Sequence, residues 1–406
     1  MSSIRTRLKG IPRFYIDIAL LIGAQFVMSF GMSLFRSLLA VYMKEFIDSE
    51  QTISAILSIS MFMGVTALLG GIWTKRVSLK TLVVLSWIVS LPVPLVFYFA
   101  TTSAGFALGQ VLTSLTTMFS PAVVLYIFDY PGAPDRTGAY LIYTTATHLA
   151  GIVAPTVGGA LIEVYGYRPV LLIGFVLLCV ALGMSLLLSS PHPRRVPAPK
   201  KERAARVPFG EALRNFGAMV WRRRRLWVWM LLLMLPQNIC VIGEPVLSLY
   251  LRTCKGLTLT QVGLGYTVAA LMGVIQIFCL NKLSKKYAPL WILGALSVFL
   301  VLANIGLQGT GVLLMLLSVW FKGSGRTVAS YVQAAFSESL MMENHEMLVA
   351  GFIAVRSMLS SFTYNLGGAL YMVRPELPYF VEIGALAVWF LLFALFTKGK
   401  RPTFAD

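Results

Sequence analysis

The sequence predicts an all-α membrane protein of twelve transmembrane helices, arranged as two pseudo-symmetric six-helix halves. Three observations carry this: an apolar composition, spanning-length apolar runs along the whole chain, and an internal repeat. Of 406 residues, 57% are hydrophobic and only 12% charged, roughly half the charge that a soluble domain places on its surface. About 20 apolar residues cross a hydrocarbon core of about 30 Å as a helix. Such runs occupy 15–43, 51–73, 79–101, 103–128, 137–163, 167–188, 226–251, 259–280, 288–307, 310–335, 346–372 and 377–396, numbered here as segments 1 to 12.

Segment 1 exceeds a signal-peptide core and lacks a small-residue cleavage site, so it is expected to stay as a helix that also directs insertion. The net charge of +18 is distributed as a topology signal rather than as a nucleic-acid footprint. Arg5, Arg7, Lys9 and Arg13 precede segment 1, Lys75, Arg76 and Lys80 follow segment 2, Lys282, Lys285 and Lys286 follow segment 8, and Lys398, Lys400 and Arg401 close the chain. The intervening connections hold only scattered bases. Basic residues stay on the cytoplasmic side, so both termini are expected there, in the cell membrane, as an even number of spans requires.

One long polar stretch, 190–225, separates a first half at 1–189 from a second at 226–406. Pro191, Pro193, Pro197 and Pro199 in its first part suit an extended linker, and Phe209, Leu213, Phe216 and Val220 recur at helical spacing before the run Arg222 to Arg225. That pattern suits a short amphipathic helix on the cytoplasmic lipid surface, with basic residues against lipid headgroups. The four cysteines have no pairing or ligand spacing and are expected as packing residues; no metal site or cofactor is expected.

The halves repeat. Arg36-Ser-Leu-Leu-Ala-Val-Tyr42 aligns with Glu244-Pro-Val-Leu-Ser-Leu-Tyr250 at an offset of 208, and Gly158-Gly159 with Gly367-Gly368 at 209. Tandem halves of this kind are a transporter architecture with a midplane site where they meet.

Segment 5 contains Gly151-Ile-Val-Ala-Pro155-Thr-Val-Gly158-Gly159 and then Tyr165-Gly166-Tyr167-Arg168. Glycines permit close backbone approach, and Pro155 removes one ladder bond. Segment 4 has Pro121 and ends at Asp129, followed by Asp135-Arg136. In these blocks the chain resembles the major facilitator superfamily, segment 5 being similar to the motif of its antiporters. The resemblance implies the major facilitator fold, alternating access and, among the family's activities, proton-coupled efflux. It also implies an inner gate of Arg76 with Asp129, for which the repeat supplies Lys286 with Glu338. The loop after segment 2 departs from the family pattern, with Lys75 at its acidic position and Ser78 for a glycine. Gln110 stands in segment 4 near where proton-coupled members often have arginine.

A charge near the bilayer centre is costly and usually faces a cavity or a partner. Arg36 and Glu244 occupy equivalent positions of segments 1 and 7. They are expected either to pair across a central cavity, or to leave Glu244 as the coupling-proton site, unless each snorkels to its helix end. Lys322 and Arg326 lie four apart on segment 10 and share a face; Arg356 lies on segment 11. With Glu244 as their main buried counter-charge, these bases suit a substrate bearing negative charge, or internal partners. His148 is a second coupling candidate, with hydrogen-bonded packing as its alternative. Asp17, Glu163 and Glu382 lie near helix ends and are expected to be interfacial.

The expected activity is secondary transport of a small organic solute by a monomer. A lipid or amphiphile translocase and a channel-like facilitator are the competing classes. No phosphate-binding Gly-x-x-x-x-Gly-Lys-Ser/Thr loop and no nucleophile–base pair at helical spacing is present, so neither direct ATP use nor enzymatic chemistry is expected.

Overall fold

The computed structural model describes residues 13–62, 66, 77–128, 130, 136–190, 232, 234–283, 289–325, 327–328 and 345–397. Each of the twelve predicted segments contains helix among these residues, and no strand is present among them. Segments 5, 6, 8, 9, 11 and 12 are single helices, Arg136–Tyr165, Tyr167–Leu186, Leu259–Leu283, Pro289–Gly306, His345–Val373 and Leu377–Thr397. Among the described residues, six helical stretches are by length and apolarity able to cross a membrane. The linker at 190–225, apart from Ser190, lies outside the described residues.

Segment 1 is broken in two, Arg13–Arg36 and Leu39–Lys44. Segment 7 is broken at the equivalent place: helix at 234–239 gives way to turns through Gly243 and restarts as Glu244–Leu249, with Pro245 in the new first turn, before a π-helical turn, Tyr250–Cys254. Proline suits a first turn, where its missing N–H leaves no ladder bond unmade. The breaks put Arg36 at the end of one helix and Glu244 at the start of another.

The halves pack with the symmetry of the repeat. A Cβ on Gly158 would overlap the carbonyl oxygen of Leu34, and one on Gly367 that of Ile242. Residues 34 and 242 are 208 apart, so segments 5 and 11 each press a glycine against the first helix of their own half. The next glycines reach into the opposite half: Gly159 abuts Leu259 of segment 8, and Gly368 abuts Gln51 and Ser54 of segment 2. Tyr42 donates to the carbonyl of Phe97 at 3.4 Å, and Tyr250 to that of Leu307 at 3.2 Å. Tyr42 stacks on Tyr167 and Tyr250 leans on Tyr379, each at 4.8 Å between ring centroids.

Segments 5 with 8, and 2 with 11, form the seam between halves. Polar contacts along it are Thr156 with Thr267 at 2.7 Å, Asn365 donating to Ser58 at 2.8 Å, and Ser54 donating to the Tyr364 carbonyl. Toward the end that the charge pattern assigns to the outer face, Glu163 accepts from the backbone N–H of Thr260 at 3.1 Å and from its hydroxyl. A carboxylate there satisfies an orphan donor of segment 8's first turn. One apolar core at this outer end draws on both halves, including Leu38, Tyr42, Phe97, Val246, Tyr250 and Tyr379. A second core, with Phe14, Leu82, Trp87, Tyr126 and Leu188, belongs to the first half alone.

Two expectations are corrected. Asp17 is 2% exposed rather than interfacial. It accepts from the Tyr130 hydroxyl at 2.7 Å and from the Ser189 backbone at 3.0 Å, tying the start of segment 1 to the ends of segments 4 and 6. Of the four free cysteines only Cys240 is buried; Cys179, Cys254 and Cys279 are exposed.

Replacing Gly158 or Gly367 by alanine should lower stability by about 1–3 kcal/mol, because the obstacle is backbone and cannot move aside cheaply. Thermal unfolding in detergent measures this. Gly183→Ala, where nothing lies within 4 Å of the added carbon, should be neutral or slightly stabilising.

Candidate functional site

The broken helices open a cavity of about 400 Å³ between the halves. Its wall takes Ser33, Arg36 and Ser37 from segment 1, Gly151 and Pro155 from segment 5, and Gln237, Cys240 and Glu244 from segment 7. Tyr266, Lys322, Arg356 and Tyr364 come from segments 8, 10 and 11. An adjoining space of about 180 Å³ shares Arg36, Ser37, Glu244, Tyr266 and Tyr364, and extends to Ser60 of segment 2 and Gln110 of segment 4. The larger volume falls in the range of small-molecule sites, about 300–1,000 Å³.

Four of the sequence-derived candidates, Arg36, Glu244, Lys322 and Arg356, therefore meet on one wall. Arg326, Arg76, Asp129, Lys286 and Glu338 lie outside the described residues. Gly151 and Pro155 border the cavity, whereas Gly158 and Gly159 serve helix packing. His148 is exposed on segment 5 and is not part of the cavity wall.

Lys322 is held by a group that the sequence reading set aside. Its ammonium forms an ion pair with Glu382 of segment 12 and donates to Asn304 Oδ1 of segment 9 at 3.0 Å. Glu382 is fully buried rather than interfacial. Its carboxylate also accepts from Asn304 Nδ2 at 2.8 Å and from the Gly243 N–H at 2.7 Å. That last donor exists because segment 7 is broken: in an unbroken helix Gly243 would bond back to residue 239. The counter-charge of Lys322 is thus Glu382, not Glu244. The two lie 60 residues apart, so no local spacing links them. The available signal was a lone acidic residue inside the apolar run 377–396, which the cost of intramembrane charge marks for attention.

The remaining charges differ. The Glu244 carboxylate has no hydrogen-bond or ionic partner among the described residues. Neither has the guanidinium of Arg356, which is half-buried at the cavity wall. Gln237 is 4% exposed, and its side-chain carbonyl oxygen is buried without a donor among the described residues. Among the described residues the wall consequently offers a lysine neutralised from behind by Glu382, and an anion, a cation and an acceptor without partners.

The profile of the Major Facilitator Superfamily matches residues 21–340. The chain belongs to this superfamily. It is an integral, multi-pass membrane protein with the superfamily's fold. No curated protein sequence matches it. Among solved structures, the nucleoside transporter NupG superimposes with a TM-score of 0.72 at 15% identity, covering 96% of this chain and 100% of NupG. A POT family transporter in complex with 5-aminolevulinic acid gives 0.71 at 15% identity, covering 96% of each chain. A peptide transporter POT in complex with sulfate gives 0.68 at 16%, covering 95% of each. At these identities the likeness is one of fold.

Glu382→Gln should destabilise the protein by about 3–5 kcal/mol, since it leaves the Lys322 ammonium buried without its anion. Lys322→Met combined with Glu382→Leu should recover most of that loss. Unfolding temperatures of the single and double variants in detergent check the non-additivity.

Proposed function

We propose that this chain is a secondary active transporter that moves a small organic solute bearing a negative group by alternating access through the cavity between its halves. Both termini are assigned to the cytoplasm on the charge pattern. The observation that carries the reading is Arg356, a cation without an acceptor among the described residues, on the wall of a cavity shared by both halves. Burying it alone is costly, so an anionic ligand group is the natural complement. Arg36 on the facing segment adds positive charge to the same wall. Structures of similar fold carry nucleoside or peptide transport in their names, and two hold 5-aminolevulinic acid or sulfate; a small organic solute is in keeping with them. The close packing of segments 5 with 8 and 2 with 11 between the halves, at the end the charge pattern assigns to the outside, favours a gated carrier over a channel.

The test is counterflow into liposomes containing purified protein, with a panel of organic anions, cations and neutral solutes. Arg356→Gln should reduce uptake of the accepted solute by about tenfold or more while the protein remains folded. Equal uptake by the variant would remove Arg356 from the site. Alternating access also requires the outer seam to part. Joining Glu163→Cys to Thr260→Cys by oxidation should stop transport, and reduction should restore it. Unchanged flux through the cross-linked protein would refute alternating access.

A further inference from the structure

Resting on this reading, the geometry points to a narrower substrate class: a small zwitterion, with its ammonium group at Glu244 and Gln237 and its anionic group at Arg356. Lys322, whose charge would otherwise tilt the cavity toward anions, is neutralised by Glu382 and further bonded to Asn304. What remains for a ligand is a carboxylate and a guanidinium, each without a partner among the described residues, on one cavity wall.

The two residues of segment 7 ask for the same thing. Glu244 can only accept hydrogen bonds when ionised, and the buried oxygen of Gln237 is likewise an acceptor lacking a donor. A protonated amine supplies up to three donors and a positive charge. Arg356, from segment 11, can only donate. A purely anionic ligand would satisfy Arg356 and set its charge against Glu244; a purely cationic one would do the reverse. Only a ligand with both signs relieves both residues, and leaving a charged group unmatched in a desolvated site is what makes such sites selective. Tyr266 and Tyr364, on the wall of both spaces, provide surface for the apolar part between the charged ends. Arg36 strengthens the field felt by the anionic end.

The experiment measures ligand binding to the purified full-length protein by thermal shift, using matched sets in which one charge is removed at a time. The sets are 4-aminobutyrate, butyrate and 4-aminobutyrate methyl ester; phenylalanine, 3-phenylpropionate and phenylalanine amide; and phosphoethanolamine, ethyl phosphate and ethanolamine. In at least one set the zwitterion should bind about tenfold or more tightly than either single-charge analogue. Glu244→Gln should then abolish the preference over the amine-free member and keep the preference over the member lacking the anionic group. Arg356→Gln should do the opposite. This crossed pattern is one that a merely structural role of either residue would not give. If single-charge members match or exceed the zwitterion, if no zwitterion shifts the melting temperature, or if both variants lose preference indiscriminately, the zwitterion assignment is overturned. Binding is read without flux, so a zwitterion that binds in the crossed pattern but is not carried into liposomes would instead overturn the transport reading.

Discussion

The constraint on which this structure depends is that charge cannot rest unmatched in hydrocarbon. Each intramembrane charge described here has been moved to the seam between the halves, buried against a partner, or brought to a helix terminus. Lys322 and Glu382 illustrate the second solution. Their pair is supported by Asn304 and by a backbone N–H that became available only where segment 7 breaks. Four segments, 7, 9, 10 and 12, are thereby held by one carboxylate. The break that frees this N–H also sets Glu244 on the cavity wall, so the structural pair and the candidate site share a single backbone irregularity.

Symmetry and its violation divide the labour between folding and function. Tyr42 and Tyr250, and Gly158 and Gly367, repeat with matching contacts in both halves. These positions do the same mechanical work twice. Charge does not repeat in this way. Arg36 has Glu244 as its counterpart, and Lys322, Glu382 and Arg356 all belong to the second half. A symmetric scaffold thus carries an asymmetric lining.

The fold was legible in the sequence because its determinants are local or periodic: apolar length fixes the segments, and the offset of 208 to 209 residues fixes their correspondence. Arg36, Glu244, Lys322 and Arg356 could be selected by the cost of burying them, since that cost is a property of one residue in one segment. What they do to each other could not be read in this way. The choice of Glu382 over Glu244 as the partner of Lys322 follows from how segments 9, 10 and 12 pack beside the break in 7. Proximity to a segment end proved a poor guide for Glu382 and Asp17, because a residue a turn or two inside a helix can be covered by neighbouring helices instead of reaching the interface.

The adjacent glycines of segments 5 and 11 have a mechanical consequence. In each pair the first contacts its own half and the second contacts the other. The helix therefore acts as a keel fastened on one side and as a bearing surface on the other, with the division falling between consecutive residues. A side chain added at the first glycine would be resisted within its own half, whereas one added at the second would press on the opposite half. Two neighbouring residues of the same type thus have different mechanical roles, one within a half and one at the seam between the halves.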